Sequence, residues 1–284
     1  MLIDHDNLEE FADPEAYDIE DDSETGLAFY AALARETGGP VLEVACGTGR
    51  ITIPIARQGF DVTGVDIVPG MIARARSKSA GLPAQWVEGD ARTFALHALF
   101  RLIFLTGNAF QAFLTRADQE ALLGRVHAHL DDRGLFAFET RNPRWARQAR
   151  AELPGGRMSA QEEGLFAFLE TRTEEEYLRT YTDHGGRVMR LSNTQAYDHV
   201  SQILQWTTSR RWREGDQEQT KITRIAVRYT FPQELATLLH YNGFTIERQF
   251  GDWDLSPLSA ASPSIIVVCR KQGQASTRAR QLRP

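Results

Sequence analysis

A glycine turn between two acidic strand ends can hold a nucleoside, and the residues around 41–66 have that layout. Val41-Leu42-Glu43-Val44-Ala45-Cys46 runs into Gly47-Thr48-Gly49-Arg50. Glycine there permits positive φ and lets backbone approach a ligand closely. Asp66 lies seventeen residues past Gly49, closing Val62-Thr63-Gly64-Val65. A carboxylate at that place can accept both hydroxyls of a ribose. Asp90, after Gly89, gives a third acidic position. If these runs are parallel strands, Glu43, Asp66 and Asp90 share one sheet edge, where open α/β sheets bind ligands.

The same residues can be tested against other phosphate-binding turns. A P-loop needs Gly-Lys-Ser/Thr, and the chain has no Gly-Lys pair. A dinucleotide fingerprint needs GxGxxG, and Thr52 stands at its third glycine. That departure weighs against a nicotinamide or flavin dinucleotide. A turn with only a structural role is the remaining alternative.

The elements that must position these residues alternate between strand and helix. Strands are expected at Val41–Ala45, Asp61–Val65, Gln85–Glu88, Leu102–Thr106 and Leu135–Glu139. Helices are expected at Ile51–Gln58, Pro69–Ser79 and Arg116–Leu130, the last opened by Thr115 and Asp118 in a capping-box-like start. A helix over Thr25–Thr37 precedes them, ended by Gly38-Gly39-Pro40. This predicts an α/β fold, a doubly wound, mostly parallel seven-stranded sheet.

From about Arg144 the pattern changes to long strand-like runs. Tyr177–Thr182 and Arg187–Ala196 flank Asp183-His184-Gly185-Gly186; Ile203–Trp212 and Thr220–Thr230 flank Glu214-Gly215-Asp216. They predict an inserted antiparallel β-sheet. A helix at Pro232–Tyr241 and strands at Thr245–Phe250 and Ser264–Cys269 return to the first pattern. The expected organisation is a lid and helix over 1–37, a main domain over 38–143 and 231–270, an insert over 144–230, and a flexible tail over 271–284.

Composition sets limits. A net charge of −6 argues against a nucleic-acid binder. Two cysteines, Cys46 and Cys269, allow neither a disulfide framework nor a Cys-rich metal site. His127 and His129 sit two apart on a helix and face different ways, so no metal is expected. No basic leader or span-length apolar run is present, which points to a cytoplasmic protein without membrane contact. Residues 1–24 hold eleven Asp or Glu and no Lys or Arg. Such a run reads either as a solvated, loosely ordered segment or as a lid whose acidity draws a cationic ligand.

Taken together, the glycine turn, Asp66 and Asp90 make residues 40–140 resemble class I S-adenosylmethionine-dependent methyltransferases of the small-molecule type. Val44-Ala45-Cys46-Gly47-Thr48-Gly49 is similar to glycine N-methyltransferase, although many members have glycine where Ala45 stands. The insert and the Gly251-Asp252-Trp253-Asp254 loop are more loosely similar to amino-sugar N,N-dimethyltransferases of antibiotic pathways. The resemblance implies that Glu43, Ala45, Cys46, Gly47 and Gly49 meet the methionyl half of S-adenosyl-L-methionine. Asp66 would hold the ribose and Ile67 the adenine face. Asp90, with Ala91, would read the adenine amino group, and Thr106-Gly107-Asn108 would line the transfer region. Tyr30, Met71 and Arg92 complete the expected cofactor set, and S-adenosyl-L-homocysteine would be the product.

Candidates to assist transfer are Tyr17, Gln111 and Arg141, with Tyr30 and Asp254 further possibilities. Arg141, after the fifth strand, suits a substrate carboxylate or phosphate. Trp206 and Trp212 share a strand face and read as cross-strand packing or a dimer contact. The expected activity is methyl transfer to an amine of a small molecule, with hydroxyl transfer or nicotinamide-dependent oxidoreduction as alternatives. A homodimer through the inserted sheet is the expected assembly.

Overall fold

The computed structural model describes residues 7–21, 23–143 and 169–273. Its centre is a seven-stranded sheet built from β1 (Val41–Val44), β2 (Val62–Asp66), β3 (Ala84–Glu88), β4 (Phe100–Leu105), β5 (Leu130–Arg141), β10 (Phe244–Phe250) and β11 (Ser264–Lys271). The order is β10-β11-β5-β4-β1-β2-β3. The first five strands run parallel, while β11 is antiparallel to both β5 and β10. Apolar runs such as Leu102-Ile103-Phe104-Leu105 are wholly buried because helices cover both faces. These helices are α2 (Leu27–Thr37), α3 (Thr52–Ala56), α4 (Pro69–Lys78), α5 (Arg116–His129) and α6 (Pro232–Tyr241). The strand order reverses at β1, which has β2 on one side and β4 on the other. That switch point opens the crevice in which a doubly wound sheet binds its ligand.

A second sheet, β6-β7-β8-β9, is a four-stranded antiparallel meander: β6 (Arg172–Thr182), β7 (Val188–Asp198), β8 (Ile203–Glu214) and β9 (Gln217–Arg228). Tyr197, Leu204, Val227 and Tyr229 form its core with Leu169. The part of the insert at 144–168, and the tail from 274, lie outside the described residues.

Several boundaries differ from expectation for physical reasons. β5 begins at Leu130, five residues early, because Asp131-Asp132-Arg133-Gly134 forms an irregularity within the strand rather than a turn. β6 begins at Arg172, since Arg172 and Glu176 pair with β7 on either side of an irregularity, in a run without apolar alternation to announce it. α3 shortens to five residues around Pro54, which lacks an amide hydrogen.

The largest difference lies in the acidic N-terminal run. Residues 7–21 are an ordered strap, not a solvated segment. Asp13 caps a helix, α1 (Pro14–Glu20), by accepting from the Ala16 N–H, with proline at the first helical position. On one side, Asp18 ties α1 to the main domain through Arg74, Lys78 (both 2.8 Å) and the Thr48 hydroxyl. On the other, Glu10 and Glu20 bind Arg210 of β8 at 2.6 and 2.7 Å, and Glu9 binds Arg224 of β9 at 2.6 Å. The Asn7 amide bonds both the N–H and the carbonyl of Ala226, covering the β9 edge as a further strand would. The strap's acidity is thus matched by arginines of the chain itself.

Arg210 is the least exposed cation of that set, its side chain 9% exposed. Burial opposes ionisation of Glu20, yet hydrogen bonds from Arg210 and Tyr181 hold its carboxyl below the ordinary value of 4.5. The strap's attachment is therefore complete above about pH 4.5 and weakens as the pH falls further. Arg210→Ala leaves two carboxylates without their partner, and should cost about 3 kcal/mol. Denaturant unfolding measures that cost, and limited proteolysis should show cleavage moving into residues 7–21.

Candidate active site

Gly47 and Gly49 both take positive φ, +53° and +81°. A Cβ on Gly49 would lie 2.6 Å from the Trp86 ring, so only glycine fits there; one on Gly47 would meet nothing closer than Tyr17 at 3.8 Å. Gly47 thus lies directly beneath the Tyr17 ring of the strap. Ala45 also takes positive φ, +58°, a conformation glycine adopts without strain.

Asp66 fixes this turn from the neighbouring strand. One carboxylate oxygen accepts from the Gly47 N–H (2.8 Å) and the other from the Val68 N–H (2.9 Å). Burial pushes its pKa up, against the backbone N–H groups of Val68, Gly47 and Ile67. An ionised carboxylate has about four lone-pair sites, so it retains acceptor capacity for a ligand hydroxyl. Beside it Ile67 presents an apolar side chain, 42% exposed, at the mouth of the crevice.

Beneath the crevice lie two carboxyl groups that the described side chains bury completely. Glu43 of β1 accepts from the Thr52 hydroxyl and is 1% exposed. Glu139 of β5, 3% exposed, accepts from the Asn108 N–H at 3.0 Å and the Thr106 hydroxyl at 3.4 Å. The Tyr30 hydroxyl bonds Glu139 and donates to the Leu105 carbonyl at 2.8 Å. Its ring stacks on Phe104 and meets Trp253 edge-on. Glu139 therefore shapes the loop after β4, where Asn108 takes a left-handed backbone with φ +58°. The Asn108 Oδ1 atom is buried with no donor among the described residues. A carboxylate ending the run Leu135-Phe136-Ala137-Phe138 was the sequence signal for Glu139.

The remaining expected site residues fall into separate groups. Cys46 is buried against Trp86 and Ile72, and Met71 is buried within α4. Asp90 is engaged by Arg92, which also binds Asp118, with 2.6 and 2.9 Å contacts; these bonds hold Asp90 below the ordinary carboxylate range. Any group that reads Asp90 must share it with Arg92. Ala91 is half-buried beside them. Asp254 accepts from the Ser256 N–H in an exposed turn.

Of the three assisting candidates, two meet. Arg141 donates to the fully buried Gln111 side chain at 2.8 Å, and its guanidinium lies 5.2 Å from the Trp206 ring centroid. Trp206 thereby joins the inserted sheet to the end of β5. No carboxylate among the described residues pairs with Arg141. Tyr17 stands apart, over Gly47, donating to Asp21 at 3.2 Å. Burial and Asp21 push its hydroxyl well above the ordinary value, so it stays protonated. A cavity of about 220 Å³ lies beyond it, between strap and inserted sheet, with Glu20, Asp21, Arg210 and Lys221 in its wall.

Among the described residues no helix is long and apolar enough to cross a membrane. Comparison with known proteins bears on the fold and on residues 41–134. Residues 41–134 match the family described as "Methyltransferase domain". The glycine/sarcosine N-methyltransferase of Parasynechococcus marenigrum is 30% identical over 119 residues, 40% of this chain and 42% of that protein. The chain thus spans under half of that relative's length. The CcbJ methyltransferase of Streptomyces caelestis superposes with a TM-score of 0.72 at 20% identity, over 93% of this chain and 98% of that one. The sugar N-methyltransferase KedS8 of Streptoalloteichus gives 0.67 at 17%, over 96% and 97%. The chain has the fold of S-adenosylmethionine-dependent methyltransferases, and the family match lies within it at 41–134.

Burial pushes Glu43 up to about 8, so the folded state holds a proton that the unfolded chain releases near 4.5. Its destabilising effect is absent below about pH 4.5 and grows as the pH climbs to about 8. Glu43→Gln keeps an acceptor for Thr52 and cannot ionise. Thermal melts across that range should show a flatter decline for the variant than for the native chain.

Proposed function

We propose that this chain transfers the methyl group of S-adenosyl-L-methionine to the amine of a small molecule that also carries an anionic group. The observation that supports the cofactor most directly is Asp66, whose carboxylate sits beside the glycine turn with acceptor capacity left for a ribose. When bound, the cofactor supplies a methyl group already activated on a sulfonium. The protein's task is then to bind, orient and exclude water.

In this reading Asp66 holds the ribose, Ile67 covers the adenine and the backbone of the glycine turn approaches the cofactor closely. Glu139 fixes the Asn108 loop, and the Asn108 Oδ1 atom takes an N–H of the ligand. Tyr17 closes the crevice over Gly47 and separates it from the cavity beneath the strap.

The preference for nitrogen rests on proton accounting. A hydroxyl acceptor needs a base, and the groups at hand are poor ones: Tyr17 stays protonated, Gln111 is an amide and Arg141 is a cation. An amine can instead lose its proton to water before it attacks. The glycine/sarcosine N-methyltransferase and the sugar N-methyltransferase above support the same choice. Arg141, fixed by Gln111 and Trp206 and lacking a carboxylate partner among the described residues, supports a carboxylate or phosphate on the acceptor.

Two outcomes follow. With an amine acceptor, kcat/KM should rise with pH along the acceptor's own ammonium ionisation, and a profile set by an enzyme base of lower pKa would contradict this. Arg141→Ala should raise KM for an anionic amine roughly 10–100-fold, the loss expected for a charge-assisted hydrogen bond. Calorimetry should show cofactor affinity within about 2-fold of the native chain. Equal turnover of neutral and anionic amines by the native chain would remove the anion from the proposal.

A further inference from the structure

Several arginines that tie one element of this chain to another do so through carboxylates. Arg74 of α4 meets Asp18 at 2.8 Å, and Arg92 meets Asp90 and Asp118. Arg210 of β8 meets Glu10 and Glu20, and Arg228 of β9 meets Glu234 at 2.7 Å. Each of those cations is neutralised where it stands. Arg141 is tied in a different way, through an amide.

The amide is Gln111, in the single helical turn Ala109–Ala112 after β4, and it is fully buried. Its Oε1 accepts from Arg141 Nη1 at 2.8 Å, and its Nε2 donates to the Arg228 carbonyl at 3.4 Å. The second bond orients the first. A carbonyl can only accept, so the amide nitrogen faces β9 and its oxygen faces Arg141. Trp206 of β8 covers the guanidinium at 5.2 Å, and its own N–H donates to Gln195 at 3.3 Å. The inserted sheet and the loop after β4 therefore hold Arg141 by one edge and one face. Neither group is an anion. Glu139, two residues earlier on β5, is engaged by Tyr30, Thr106 and Asn108, and Glu234 by Arg228. The Arg141 charge is felt nearby: burial pushes the Tyr229 hydroxyl up to about 12, and Arg141 acts against that rise.

We propose that Gln111 is the positioning residue that sets the acceptor's charge: it directs the Arg141 guanidinium through a neutral oxygen and so leaves its full charge to a carboxylate or phosphate on the acceptor. A carboxylate at 111 would hold the guanidinium equally well and cancel that charge. A hydrocarbon there would leave the charge and lose the direction. The inference rests on the anionic-acceptor reading above and adds the residue that decides between anionic and neutral acceptors.

Sulfate and acetate stand for the two anion types, one tetrahedral and one planar. Each is titrated into the full chain at constant ionic strength, with tryptophan fluorescence as the signal because Trp206 lies on the guanidinium. The part of the signal lost in Arg141→Ala belongs to this site. For the anion that the native chain binds more tightly, Gln111→Glu should weaken binding roughly 10–100-fold and Gln111→Met only about 3–10-fold. Damage to the hydrogen bonds alone would give the opposite order, since methionine removes both bonds and glutamate keeps the one to Arg141. Binding by Gln111→Glu within about 3-fold of native, or no weaker than by Gln111→Met, overturns the assignment and leaves the anionic-acceptor reading intact. If Arg141→Ala changes the signal of neither anion, that reading fails and the assignment with it. Should Gln111→Glu not fold by circular dichroism, Gln111→Met carries the test: the loss given above supports positioning, and native affinity contradicts it.

Discussion

Two backbone N–H groups on one carboxylate hold this site together. Asp66 closes β2 and accepts from Gly47, at the end of the neighbouring β1, and from Val68, which leads into α4. The bonds join two consecutive βα units at the switch point of the sheet. They fix where the glycine turn stands relative to the second strand, and so the width of the crevice. The same oxygens are the ones a ribose would use. Building and binding therefore draw on one group, whose burial raises its pKa while the backbone donors resist.

Around that brace the molecule balances its charge internally. Eleven acidic residues crowd the first twenty-four, yet the described part of the run meets Arg74, Lys78, Arg210 and Arg224 at close range. These pairs bind three parts into one: α4 of the main domain, the strap, and β8 and β9 of the inserted sheet. Asn7 adds a strand-like cover to the β9 edge. Partly buried pairs of this kind cost more to break than exposed ones. The strap is consequently a wall of the crevice rather than a loose tail.

Local signals made the sheet legible. Uniformly apolar runs marked the parallel strands, Pro69 and Thr115 marked helix starts, and Asp183 to Gly186 marked a hairpin. Gly47 and Gly49 marked the turn, and the fold adds that nothing larger than Gly49 fits against Trp86. What the sequence concealed depends on partners distant along the chain. α1 is short, and its acidity suggested solvation until arginines some two hundred residues away were brought to it. β6 begins in a charged run without apolar alternation. Glu139 ends an apolar strand, a visible oddity, but its hold on Asn108 requires two strands to lie side by side. Of the assisting candidates, Gln111 and Arg141 come together through the fold, whereas Tyr17 serves the strap and the glycine turn. Ala45 departs from the usual glycine and still takes positive φ, so the turn's shape outlasts the residue that most simply provides it.

The account stands or falls on what occupies the crevice beside Asp66. A crystal structure of the full chain soaked with S-adenosyl-L-homocysteine examines that directly. The expected result is a ribose with its two hydroxyls on the Asp66 oxygens and its nucleoside under Tyr17, with the Gly47 and Val68 bonds kept. A nucleoside seated elsewhere, or one whose ribose leaves Asp66 bonded only to its own backbone, would contradict it.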